Sequence, residues 1–132
     1  MIRAPIAAAL VALTLAAVPA VRAVAAEQVP YSASAFAAAQ AAGKPVVVDV
    51  TAPWCSTCAA QKPIVQALLK EPEFKNLVLL HVDFDTQKAL LRKLNVREQS
   101  TFVVYKGRDE VGRSTGDTDK ASIAALFAKA AG

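Results

Sequence analysis

The chain has 132 residues, with 15 Lys and Arg against 11 Asp and Glu, and 55% of its residues are hydrophobic. This length suits a single domain, and the composition excludes a disordered, collagen-like or proline-rich chain. Two cysteines are too few for a disulfide-dense scaffold and, with one histidine, for the usual four-ligand shell of a structural zinc site.

The chain begins with an apolar leader. Arg3 precedes eighteen uncharged, mostly apolar residues, and an A-x-A pattern of small residues follows. These features predict a secretory signal peptide over residues 1–25, cleaved after Ala25 or Ala26, and a single domain over residues 26–132. The alternative is an uncleaved membrane anchor, because eighteen apolar residues reach the lower length limit of a spanning helix.

The charge that remains after the leader is small and well mixed. Cleavage would remove Arg3 and Arg22, which lowers the formal net charge from +4 to +2. Acids and bases alternate along the rest of the chain, as they do around Lys70, Glu71 and Glu73. Because no run of like charge forms a basic surface, we expect no nucleic-acid partner.

The first half of the domain alternates between strands and helices. Residues 29–31 predict a short strand, and residues 32–42 predict a helix that starts with a hydroxyl cap. Residues 46–50 form a β-branched run typical of a strand buried on both faces. Residues 55–70 predict a helix that Pro63 interrupts and kinks.

The second half continues the alternation and ends with a hairpin and a helix. Residues 77–84 predict a second buried strand, and residues 86–94 a short amphipathic helix. Residues 101–105 and 110–113 flank a turn and predict a β-hairpin, and residues 117–130 predict the last helix. Strands separated by helices pair in parallel, whereas the hairpin adds an antiparallel edge. We therefore predict an α/β sandwich with a central mixed sheet flanked by helices.

The residues that carry chemistry stand where the first buried strand gives way to a helix. Cys55-Ser56-Thr57-Cys58 occupies this junction. A cysteine at a helix N-terminus faces free backbone N–H groups and the positive end of the helix dipole, and both favour the thiolate. We expect Cys55 to be exposed and nucleophilic, and Cys58, one turn further along, to be shielded and to resolve a mixed disulfide with it.

Two other uses of the cysteine pair are open. A structural disulfide that closes a four-residue loop contributes only about 2 kcal/mol, so a stabilising bridge is better placed between distant residues. A site for a metal or a cluster lacks ligands, because the sequence offers only His81 and scattered carboxylates besides the two cysteines. The position of the pair favours thiol–disulfide exchange over both.

The segment around the cysteines resembles the thioredoxin family. It reads Asp49-Val-Thr-Ala-Pro-Trp-Cys-Ser-Thr-Cys and is followed by Pro63, and the similarity extends through Lys106 and Gly107 to Gly116 and the last helix. The resemblance implies a redox-active disulfide that exchanges electrons with protein thiols and disulfides, without a cofactor or a metal. With the leader, the chain is similar to periplasmic thioredoxin-like thiol:disulfide interchange proteins.

The resemblance implies roles for three further residues. Asp49 matches the buried acid of the family, which transfers a proton at Cys58; otherwise it is a strand-end carboxylate that points to solvent. His81 stands where the family often has a lysine near that acid, so it is a candidate proton relay, or else a strand-edge histidine without a role. Trp54 matches the aromatic residue beside the nucleophile, with a place in the core as the alternative.

The same comparison places substrate binding at Trp54, Ser56, Thr57, Ser100 and Thr101. At Ser100 the family normally has a cis-proline, and a cis bond before serine costs about 3–4 kcal/mol. The loop therefore either keeps a strained cis bond or relaxes to trans. The serine also adds an N–H and a hydroxyl, which are able to steady a thiolate or to open the site to a metal or an iron–sulfur cluster.

The direction of electron flow is predicted from the two residues between the cysteines. Ser56 and Thr57 carry no positive charge, so we expect mild thiolate stabilisation and a reductase or electron carrier in the cell envelope. A membrane-embedded thiol reductase would supply its electrons, and we expect a monomer. The alternatives are an oxidase or isomerase of the same fold, a metal-binding module, or a docking domain with a vestigial cysteine pair.

Overall fold

The computed structural model describes Pro19 and residues 26–132. The predicted signal peptide, apart from Pro19, lies outside these residues. Within the described part of the chain, no helix combines the length and the apolar character needed to cross a bilayer.

The domain contains five strands and four α-helices in its described residues. The strands are β1 (Glu27–Pro30), β2 (Pro45–Thr51), β3 (Val78–Asp83), β4 (Thr101–Lys106) and β5 (Asp109–Thr115). The helices are α1 (Ala33–Ala41), α2 (Ser56–Leu68), α3 (Lys88–Lys93) and α4 (Lys120–Ala131). One turn of 3₁₀-helix, Pro72–Phe74, separates α2 from β3 and is absent from the sequence prediction.

The strands form one sheet in the order β1-β3-β2-β4-β5. Strand β3 pairs in parallel with β1 and β2, whereas β4 pairs antiparallel with β2 and β5. The predicted mixed sheet with an antiparallel hairpin edge is therefore confirmed. Strand β2 lies at the centre, between β3 and β4, and the cysteine motif follows its carboxyl end.

Both faces of the sheet are covered, as the continuous β-branched run of β2 requires. Val46, Val48 and Val50 pack on the face that α1 and α3 cover. Val47 packs on the opposite face, in the core formed with α2, α4 and the aromatic side chains of the 3₁₀ turn and β4. Because side chains alternate along a strand, Asp49 faces the α2 side.

Helices α3 and α4 start two and three residues later than predicted, because side chains cap the preceding turns. Before α3, the Asp83 carboxylate accepts hydrogen bonds from the N–H groups of Asp85 and Thr86, which holds these residues in a turn. Before α4, Asp119 is the N-cap, and its carboxylate accepts the N–H of Ser122 at 2.7 Å. Helix α2 continues through Pro63 to Leu68, so this proline lies inside the helix and does not end it.

The turn that joins β5 to α4 depends on a glycine. Gly116 has a φ of +75° and donates its N–H to the Ser100 carbonyl at 2.9 Å, which ties this turn to the start of β4. The left-handed conformation is strained for residues with a Cβ.

We predict that Gly116→Ala lowers the free energy of unfolding by about 1–2 kcal/mol, because alanine resists this φ. Among the described residues, no atom beyond its chain neighbours lies within 4 Å of the added Cβ, so the cost is one of backbone conformation. Urea denaturation measures the change, with Gly132→Ala at the chain end as the control. An unchanged midpoint for Gly116→Ala would contradict the assignment.

Candidate functional site

The two cysteines form a disulfide at the first turn of α2. Their Cα atoms are 5.3 Å apart. Cys55 is the N-cap of the helix, and its Sγ accepts the backbone N–H of Cys58 at 3.0 Å. A sulfur therefore occupies the position in which a serine or aspartate oxygen usually caps a helix. The same N–H and the helix dipole favour negative charge on Cys55 Sγ once the disulfide is reduced.

The expected contrast in exposure between the two sulfur-bearing residues is wrong. Cys55 is 5% exposed and Cys58 is 7% exposed, so both are buried in this disulfide form. They pack with Ala52 against Phe84, and the Cys55 N–H donates to the Ala52 carbonyl, which folds the preceding loop over the disulfide. The two cysteines therefore differ in their hydrogen bonds rather than in their exposure.

Trp54 is the exposed aromatic residue of the site. Its side chain is 61% exposed, so the alternative of a core residue is wrong. The indole N–H donates to the Asp85 carboxylate at 2.9 Å, and the ring packs edge-on against Phe84 at a centroid distance of 6.3 Å. These contacts orient an apolar surface next to Cys55. Asp85 gives no signal in the sequence, because only the tertiary structure brings it to the indole.

Asp49 is buried beneath the disulfide, on the α2 side of β2. It is 6% exposed, and burial raises the pKa of its carboxyl to about 7. Its Oδ1 has no hydrogen-bond partner within residues 26–132. The alternative of a solvent-facing strand-end carboxylate is therefore wrong. A carboxyl group with this pKa accepts and releases a proton near neutral pH.

His81 lies beside this acid on the neighbouring strand. The two residues are paired in the register of β2 and β3, and His81 Nδ1 is 3.6 Å from Asp49 Oδ2. Burial and then the positive charge of Lys62 lower the pKa of His81. Asp49 keeps its proton to about pH 7, and the lowered pKa of His81 favours the loss of its proton, so both shifts oppose a stable ion pair between the two residues.

A pocket connects Asp49 with the solvent. It has a volume of about 700 Å³ and is lined by Asp49, Cys58, Gln61, Lys62 and His81, among others. Lys62 is exposed at the rim, and His81 is half-buried. The pocket, which Cys55 also lines, therefore gives protons a route between bulk water and the buried carboxyl.

The peptide bond before Ser100 is trans, which is the second of the two predicted forms of this loop. No peptide bond in the described residues is cis, and Ser100 has a left-handed φ of +56°. Its hydroxyl donates to the Gln99 carbonyl at 2.6 Å, so that proton is engaged by the backbone rather than by sulfur. Thr101 Oγ1 contacts the Glu98 carbonyl at 2.8 Å and holds the start of β4. Ser56 is exposed and Thr57 half-buried on the first turn of α2.

Sequence reasoning missed Gln61. This residue is 2% exposed, and its amide donates to the carbonyls of Ser100 and Asp117. The available signal was its helical spacing, since Gln61 shares one buried face of α2 with Cys58, Val65 and Leu68. A polar residue on an otherwise apolar stripe indicates a specific buried partner.

The described residues contain no group of three or more His, Cys, Asp or Glu side chains able to hold a metal ion. The site combines a disulfide, a buried carboxyl and an exposed aromatic surface. A dithiol–disulfide pair at a helix N-terminus, above a buried acid, defines a protein-disulfide oxidoreductase.

Comparison with known proteins gives the family. The thioredoxin family model matches residues 27–129, and the chain belongs to this family. Its sequence is 36% identical over 87 residues to thioredoxin Asp f 29 of Aspergillus fumigatus, covering 66% of this chain and 79% of the fungal protein.

Solved structures agree with this assignment. The chain resembles the protein Trxlp of Edwardsiella tarda with 41% identity and a TM-score of 0.73, covering 77% of this chain and 97% of Trxlp. It also resembles oxidised thioredoxin of Plasmodium falciparum, with 27% identity and a TM-score of 0.64 over 81% of this chain and 99% of that one.

The raised pKa of Asp49 predicts a specific dependence of stability on pH. The unfolded carboxyl releases its proton near pH 4, whereas the folded one keeps it to about pH 7. The folded state therefore binds more protons in this window, and the free energy of unfolding falls as the pH rises through it. Asp49→Asn removes this loss and should stabilise the oxidised protein by about 4 kcal/mol at pH 8, with little effect at pH 4.

Urea denaturation of the oxidised protein between pH 4 and 8 measures this difference. Asp109→Asn, at an exposed carboxyl in the hairpin, is the control and should follow the wild-type pH profile. Parallel profiles for the wild type and Asp49→Asn would show that the buried carboxyl does not titrate in this range.

Proposed function

We propose that this protein is a dithiol–disulfide reductase or electron carrier of the cell envelope, acting on protein disulfides and recharged by a membrane-embedded thiol reductase. The observation that carries the direction of attack is the hydrogen bond from the Cys58 N–H to Cys55 Sγ at the start of α2. This donor is fixed before reaction, so it stabilises a thiolate without reorganisation.

The reaction begins with Cys55 as the nucleophile. Its thiolate attacks one sulfur of a substrate disulfide, which forms a mixed disulfide and releases the other substrate sulfur as a thiolate. The burial of Cys55 in the oxidised structure requires the substrate to approach from the side of Trp54, the exposed residue next to it. Ser56, on the exposed surface of the same turn, borders this approach.

Cys58 then resolves the mixed disulfide. Asp49 in its ionised form accepts the Cys58 thiol proton through the pocket that both residues line. The Cys58 thiolate attacks Cys55 Sγ and expels the second substrate sulfur, which leaves as a thiol after taking up a proton. The substrate gains two electrons, and the Cys55–Cys58 disulfide forms as the protein loses them.

His81 contributes to the return of the proton in this proposal. It stands 3.6 Å from Asp49 and is half-exposed in the same pocket, so its imidazole links the buried carboxyl to solvent. Burial and the charge of Lys62 lower the pKa of His81, which favours its neutral form, and a neutral imidazole both donates and accepts hydrogen bonds.

The proposed direction rests on the uncharged residues between the cysteines. Ser56 and Thr57 place no positive charge near Cys55 Sγ, so its thiolate is stabilised chiefly by the helix N-terminus. Strong oxidants owe their potential to a strongly stabilised reduced form, which this motif lacks. In an oxidising compartment a reductant needs a continuous electron supply, which supports the membrane-embedded donor.

We expect Cys55→Ser to abolish dithiothreitol-driven insulin reduction. Cys58→Ser should instead accumulate a mixed disulfide, because its Cys55 attacks and nothing resolves the product. Non-reducing mass spectrometry detects this adduct, and Ser114→Ala, on the far strand β5, is the control variant. Accumulation of the adduct by Cys55→Ser rather than Cys58→Ser would reverse the two roles.

The redox potential tests the direction. Because the chain has one tryptophan, Trp54 fluorescence in glutathione or dithiothreitol buffers reports the state of the adjacent disulfide. We expect a potential below the roughly −180 mV of protein disulfide isomerase. A higher value would indicate an oxidase or isomerase.

The location is tested by expressing the full chain in a Gram-negative host. We expect the protein in the periplasmic fraction, with an intact mass that corresponds to a chain starting at Ala26 or Glu27. A full-length chain in the membrane fraction would favour the anchor instead.

A further inference from the structure

Gln61 is a buried polar residue that the proposed reaction does not use. It lies one helical turn after Cys58, on the α2 face that packs against the sheet. Its neighbours on this face, Val65 and Leu68, are apolar. Burial of an amide among such residues is unfavourable unless the amide makes specific hydrogen bonds.

The amide of Gln61 joins two segments that are far apart in sequence. Its Nε2 donates to the Ser100 carbonyl at 3.2 Å and to the Asp117 carbonyl at 2.8 Å. An amide NH₂ has two donors, and both are used. Because both partners are carbonyl oxygens, the orientation of the amide is fixed, and Oε1 faces away from them without a partner in the described chain.

The segment held by Gln61 lies at the catalytic end of the sheet. Thr101 pairs with Val50 near the end of β2, so the Ser100 turn borders the loop that carries the cysteines. Ser100 has a left-handed φ of +56°, and its carbonyl also accepts the Gly116 N–H at 2.9 Å. Serine lacks the ring with which proline fixes its own backbone, so this turn depends on hydrogen bonds from outside it.

We propose that Gln61 is a positioning residue for protein substrates, a role that rests on the proposed function. Its amide ties the Ser100 turn to the helix that begins with Cys55, and so keeps the backbone at 99–101 in a fixed place beside the disulfide. The family resemblance implies substrate binding at Ser100 and Thr101, so a protein substrate would contact this backbone as well as the sulfur. A small disulfide needs only the sulfur, so its reaction does not depend on Gln61.

The test compares two substrates in the full-length reduced protein. Gln61→Leu keeps a side chain of similar size and removes both donors. With dithiothreitol as the electron source, we expect the KM for insulin to rise about tenfold, as the loss of one to two buried hydrogen bonds implies, with kcat retained. The rate with 5,5′-dithiobis(2-nitrobenzoate) should change less than twofold, and the redox potential read from Trp54 should not move.

A second measurement observes the turn directly. Hydrogen exchange at the Gly116 amide should accelerate in Gln61→Leu, because its acceptor, the Ser100 carbonyl, is no longer held by α2. Gln61→Met, with an unbranched side chain that suits the site, serves if the leucine variant folds poorly. Gln40→Leu, on α1 at the opposite face of the sheet, is the matched control and should resemble the wild type in every assay.

Three other results would each contradict one part of the proposal. An unchanged KM for insulin in a folded Gln61 variant would overturn the positioning role. A parallel loss of activity with both substrates would assign Gln61 to general stability instead. Failure of the wild type to reduce insulin would overturn the proposed function itself, and this result is read before any variant is compared.

Discussion

The placement of α2 directly after the central strand is the constraint on which the rest of the site depends. It allows Cys55 Sγ to cap the helix by accepting the Cys58 N–H, so the chemistry uses a backbone donor that every helix leaves free at its start. The same junction places Cys58 over the α2 side of β2, where Asp49 is buried. One strand-to-helix connection thus positions a stabilised nucleophile and a proton acceptor together.

The two cysteines are distinguished by their surroundings rather than by their exposure. Both are buried in the disulfide and both line the pocket that contains Asp49, but Cys55 is the sulfur that accepts the backbone N–H at the start of α2. The helix N-terminus favours negative charge on Cys55 Sγ. In the proposed reaction, Asp49, whose carboxyl has a pKa of about 7, accepts the proton of the Cys58 thiol. The proposed order of attack and resolution rests on the hydrogen bond to Cys55 Sγ.

The turn at Ser100 is held by hydrogen bonds from other parts of the fold. The peptide bond before Ser100 is trans, and the Ser100 carbonyl accepts hydrogen bonds from Gln61 and Gly116, which come from α2 and from the turn before α4. Residues distant in sequence therefore hold this loop, and Gln61 connects it to the helix that begins after Cys55.

The sequence by itself determined the order of elements, the mixed sheet and the cysteine motif, because alternating apolar patterns and the Cys-x-x-Cys spacing are local signals that survive without tertiary contacts. The carboxylate in an apolar strand likewise marked Asp49 as a candidate. Only the tertiary structure decided that Cys55 is buried, that Trp54 is held by Asp85, and that Gln61 binds the Ser100 turn. These features arise from contacts between residues 31 to 39 positions apart, or from the packing of several elements, and no local pattern encodes such distances.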